Sequence, residues 1–65
     1  MFDEKAFRRM VEDKNLTLDD VAKALDISKV TLYRKMSGES DFYRREMEQV
    51  RNLLQAGNME NIFFA

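Results

Sequence analysis

Lys29, Thr31, Arg34 and Lys35 fall within seven consecutive residues, KVTLYRK, directly after Ser28. Amines, a guanidinium and hydroxyls at this density are donors for oxygen acceptors. Any of them can hold a phosphate, and those pushed forward by the backbone can read base edges. Arginine pairs bidentately with guanine O6 and N7, lysine reaches the same edge, and a valine such as Val30 meets a thymine methyl. Arg44 and Arg45 lie close by in sequence. They open a segment expected to be helical, where two bases oppose the helix dipole by roughly 0.3–1 kcal/mol each. That placement is explained if phosphates approach there. The plainer use of these side chains is a solvated face, with Glu48 within reach of the two arginines as an internal partner.

The charge distribution supports the first use more than the total does. The net charge of the 65 residues is −1, whereas a dedicated nucleic-acid binder is usually basic. Residues 29–45 carry five bases against two acids, a net of +3, while residues 17–28 and 46–65 each carry three acids and one base. Exposed charges farther away than about 10 Å are largely screened, so the local stripe dominates.

Other chemistries find little here. The chain has no Cys and no His, so disulfides and Cys/His metal sites are excluded. The adjacent Asp19 and Asp20 sit where helix capping explains them, and Asp26 and Asp41 have structural uses. Neither an imidazole base nor a thiol nucleophile is available, and a domain this small leaves little room for a water-excluding pocket. An enzyme is not expected, nor a cofactor or small-molecule ligand. Apolar runs are too short to span a bilayer. Met1-Phe2-Asp3-Glu4 is acidic and leads into no apolar stretch. A soluble cytoplasmic protein without a membrane partner is the expectation.

The elements that would position these residues are helices. One domain, residues 1–65, is expected, and a chain this short buries only about 60% of its unfolded surface. Phe7, Met10 and Val11, widened by Ala6, make one apolar stripe over residues 3–14, with Asn15 as a left-handed terminator. Thr17 and Asp20 form a capping box, and Leu16 and Val21 a hydrophobic staple, at the start of a second helix. Its inward residues are Val21, Ala22 and Leu25. Asp26 takes a turn, Ser28 caps a third helix, and Ile27 with Leu32 makes a second staple. Leu32 and Met36 anchor the third helix on its inner side, and Gly38 follows with φ > 0. Residues 43–55 are expected as a fourth helix with Met47, Val50 and Leu54 on one stripe and Leu53 beside it. Glu46 supplies the N3 half of a box there and Asp41 is the candidate cap. Gly57 is expected to end this helix and Asn58 to cap a last turn. The fold class is all-α: a small orthogonal bundle of four to five helices containing a helix-turn-helix over about residues 17–36.

LTLDDVAKALDISKVTLYRKMSGES, residues 16–40, resembles the helix-turn-helix of the Cro/C1-type, phage repressor-like DNA-binding family. Thr31-Leu32-Tyr33-Arg34-Lys35, Gly38 and Phe42 match a pattern common among its short members, and Asn61-Ile62-Phe63-Phe64 is similar to their endings. The likeness covers roughly residues 4–64. It implies operator binding as a dimer on a palindromic site, and regulation, usually repression, of phage or host genes. It places base reading on Lys29, Val30 and Arg34, with Thr31 at a base or a phosphate. Together with the residue chemistry this assigns Ser28, Tyr33, Lys35, Arg44 and Arg45 to phosphates. The chain departs from the family at Leu18, where Gln usually contacts phosphate, at Asp26, where Gly is usual, and at Tyr43, where Ser or Thr often stands.

Ile62, Phe63 and Phe64 are adjacent, so one helix face cannot bury all three. Two complete the core, and the third is exposed or meets a second subunit, which makes this tail the candidate dimer contact. The expected function is sequence-specific binding of double-stranded DNA by a homodimer. The competing reading is a protein-interaction domain, antirepressor-like or antitoxin-like, that keeps the fold without binding DNA.

Overall fold

The computed structural model describes all residues, 1–65. Five helices follow one another: α1 (Glu4–Asp13), α2 (Leu18–Leu25), α3 (Lys29–Met36), α4 (Arg44–Leu53) and the single turn α5 (Glu60–Phe63). They form a compact all-α bundle measuring 25 × 23 × 21 Å. No helix is long and apolar enough to cross a membrane.

Local chemistry sets the starts. Asp3 accepts the Ala6 N–H at 3.1 Å, and Ser28 Oγ accepts the Thr31 N–H at 3.1 Å. At α2 the box is reciprocal: Thr17 Oγ1 accepts the Asp20 N–H at 3.2 Å, and Asp20 Oδ2 accepts the Thr17 N–H at 2.8 Å and its hydroxyl at 3.0 Å. The Thr17 backbone donor, then its hydroxyl, stabilise the charged form of Asp20 and hold this carboxyl below the usual carboxylate range.

Three helices stop in the same way, and none uses glycine. Asn15, Asp26 and Gln55 adopt left-handed φ of 57°, 57° and 52°. After each, the next N–H folds back to the preceding turn: Leu16 to Val11 O, Ile27 to Ala22 O and Ala56 to Arg51 O, all at 3.0 Å. These closures satisfy carbonyls that the helix ends would otherwise leave open. Asn and Asp tolerate this conformation through their short polar side chains, whereas Gln has less to offset the Cβ clash. α4 therefore ends at Leu53 and is closed by a left-handed Gln55 and not, as its composition suggests, by Gly57. Gly38 has φ +88° with open space around it, so the backbone and not the packing requires glycine there.

α2 sits centrally and packs against both α3 and α4, while α1 packs against α5. The core comprises Phe7, Val11, Val21, Ala22, Leu25, Leu32, Met36, Val50, Leu54 and Met59. Met47, expected on the inner stripe of α4, and Leu53, expected beside it, are only half-buried. Phe2, Phe42 and Phe63 close one end, with ring centroids 4.9–5.6 Å apart, and Phe2 also meets Phe7 edge-on at 5.2 Å. The Asp3 N–H donates to Ile62 O at 2.8 Å and ties the tail to the start of α1. Ile62 and Phe63 join the core edge and Phe64 is left 66% exposed. The N-cap of the last turn is Met59, which makes no side-chain cap bond, and not the expected Asn58; Asn58 Oδ1 accepts the Glu60 N–H at 2.8 Å from one residue earlier.

Candidate nucleic-acid interface

α3 has two faces of different character. Leu32, Lys35 and Met36, at i, i+3 and i+4, are buried. Val30, Tyr33, Arg34 and Ser37, at i, i+3, i+4 and i+7, are exposed, and Lys29 flanks them. The outward face presents one guanidinium, one ammonium, a phenol, a hydroxyl and the Val30 methyls. Val30 is 58% and Tyr33 42% exposed.

The basic side chains on this side are nearly free. The ion pairs of the molecule are Arg8–Glu4, Lys23–Asp19, Arg34–Glu39 and Lys35–Glu46. Lys29, Arg44 and Arg45 take part in none of them and are exposed. Glu48 does not pair with either arginine. Arg34 Nε lies 4.0 Å from Glu39 Oε2 with both side chains well exposed, a contact too long and too wet to hold the guanidinium. Ser28 and Thr31 are more committed. Ser28 Oγ accepts the Thr31 N–H and donates to Thr31 Oγ1 at 3.0 Å. Each hydroxyl thus serves the cap first, and Thr31 is half-buried.

Lys35 does not belong to this surface. Its charge predicts a phosphate contact, but it is only 5% exposed. Its Nζ lies 2.9 Å from Glu46 Oε1, donates to Asp41 O at 3.0 Å and sits 4.1 Å from the centroid of the Tyr43 ring. The reason is positional. Lys35 shares the i, i+3, i+4 spacing of Leu32 and Met36, so its stem runs inward with theirs. Glu46, 2% exposed, stands four residues before the buried Val50 on α4. Opposite charges on the inner stripes of successive helices were the available signal for this pair. The same contact corrects the α4 start: Glu46 Oε1 accepts the Tyr43 N–H at 2.8 Å, and Asp41 contributes its backbone carbonyl to Lys35 instead of a side-chain cap.

With Lys35 neutralised inside, the exposed bases of residues 29–45 are Lys29, Arg34, Arg44 and Arg45, against exposed Glu39 and Asp41. Ile62 and Phe63 pack on the protein's own core, which leaves Phe64 as the open member of the tail. No protein-family model, curated protein or solved structure matches this chain.

Proposed function

We propose that this protein binds double-stranded DNA sequence-specifically, with α2, the Asp26 turn and α3 acting as a helix-turn-helix, and that it regulates transcription in the manner of the phage repressor-like family. One observation carries the reading. α3 is anchored by one face and leaves Lys29, Val30 and Arg34 on the other without a competing internal partner closer than 4.0 Å. A helix held this way can enter a major groove with its outer residues at base edges. In this role Lys29 and Arg34 read guanine edges and Val30 packs on a thymine methyl. Tyr33, Arg44 and Arg45 contact phosphates, with Ser28 and Thr31 at the N-terminal end of the helix. A single module of this size covers roughly 600–1,000 Å². Tight binding therefore calls for two copies on half-sites one helical turn apart, about 34–36 Å, with Phe64 among the groups open to a second subunit.

Titration of two variants across salt tests the assignment. Arg34→Ala relaxes discrimination at its base position by about 1–3 kcal/mol. Arg45→Ala weakens all duplexes alike and lowers the salt slope by about one. Equal losses on an operator and a scrambled duplex in both variants contradict base reading by α3.

The exposed Val30 and Tyr33 also favour a second reading, in which the same face docks on a protein. Absence of duplex binding at low salt, with a stable protein complex lost on Tyr33→Ala, selects it.

A further inference from the structure

α3 and α4 each rest on α2, and neither depends on a broad contact with the other. What joins them directly is the seven-residue connection 37–43 and the polar cluster around Lys35. Lys35 Nζ, at the end of α3, meets three separate parts of that junction: Asp41 O in the connection, the ring of Tyr43 at the α4 N-cap, and Glu46 Oε1 in its first turn. The same Glu46 oxygen accepts the Tyr43 N–H. Every one of these contacts ends within three residues of Arg44.

Desolvating both charges makes this pair a poor source of stability, because well-packed apolar side chains of similar volume do as well or better. Its distinguishing property is direction. Hydrogen bonds fix distance and angle, whereas apolar contact tolerates sliding. We propose that Lys35 and Glu46 are positioning residues that set the orientation of α3 relative to the first turn of α4, and so determine DNA specificity without touching DNA. The proposal rests on the DNA-binding reading. Arg44 and Arg45 at the backbone fix where α4 stands on the duplex, and the ion pair then fixes which base edges Lys29, Val30 and Arg34 meet. An α3 that shifts against α4 keeps its phosphate attraction and loses its register at the bases.

The test uses the whole chain and a duplex selected by the wild-type protein from a random pool, beside a scrambled duplex of the same length. Two double variants are compared with the wild type: Lys35→Met with Glu46→Leu, which fills the site with apolar groups, and Lys35→Met with Glu46→Gln, which keeps an acceptor for the Tyr43 N–H. The second covers the case in which the first fails to fold. Circular dichroism and thermal melting establish that a variant is folded. Binding to both duplexes is then measured at one salt concentration. The expected result is a folded variant whose affinity for the scrambled duplex is kept within about twofold while its preference for the selected duplex falls at least about tenfold, the equivalent of one base contact. A folded variant that keeps the wild-type preference overturns the proposal. Wild-type protein that selects no duplex overturns the DNA-binding reading and this proposal with it. That failure is seen in the wild-type arm, not in the variants.

Discussion

The starts of α2 and α4 use the same local device in opposite surroundings. In each, a carboxylate at the third helical position turns back to accept the N–H of the cap residue at 2.8 Å: Asp20 for Thr17, Glu46 for Tyr43. The first stands at the surface, is completed by the Thr17 hydroxyl, and makes all its hydrogen bonds within its own turn. In the second the Glu46 carboxylate is buried although Tyr43 is exposed, the cap side chain makes no hydrogen bond to the turn, and the charge is balanced by Lys35 from another helix. The difference shows how one motif passes from a local stop signal to a tertiary joint. At the surface it adds a small increment to one helix. In the interior it brings in a counter-charge, and two helices become tied to each other's position.

Variants that break each box sharpen this contrast. The largest effect is expected for Glu46→Ala, which leaves the Lys35 ammonium buried and unpaired and takes away the Tyr43 N–H acceptor. A loss of about 3–5 kcal/mol, read by urea denaturation, is the expected outcome. A loss under about 1 kcal/mol would mean that the pair carries no such dependence. Thr17→Ala, at the surface box, is expected to cost about 1 kcal/mol in the same measurement.

The surface box also makes stability depend on acid. The folded-state pKa of Asp20 lies below that of an unfolded carboxyl. Its contribution is therefore present above the ordinary carboxylate range and is lost as pH falls through the depressed folded value. Asp20→Asn is expected to flatten part of the acid limb of stability against pH, and an unchanged limb would place that dependence on other carboxylates. The smallest effect is expected at the far end of α4. Gln55→Gly relieves a left-handed Gln and should raise stability by about 0.5–1 kcal/mol, measured as an upward shift in melting temperature.

How much of this was legible in the sequence follows the same division between local and tertiary. The Thr17–Asp20 box, the Ser28 cap, the left-handed Asn15 and Asp26 and the anchoring of α3 by Leu32 and Met36 all depend on residues within one or two turns of each other. Sequence spacing alone identifies them. Glycine is the usual left-handed residue, so Gly57 suggests the stop of α4, whereas the Ala56 N–H closes onto Arg51 O around a left-handed Gln55. The charge of Lys35 points outward to a phosphate, whereas its place on the Leu32–Met36 stripe puts it inside. Charge alone cannot reveal that a lysine is neutralised by a residue eleven positions later. The outward set Lys29, Val30 and Arg34 stands where the sequence placed it, now with Tyr33 beside it on the exposed side.

Selection of bound duplexes from a random pool, followed by titration of the winner against a scrambled duplex, decides whether α3 reads bases. The expected outcome is a palindromic winner with half-sites about one turn apart, bound at least about 10³-fold more tightly than the scrambled duplex at physiological salt. Equal affinity for the two duplexes at every salt concentration would contradict it.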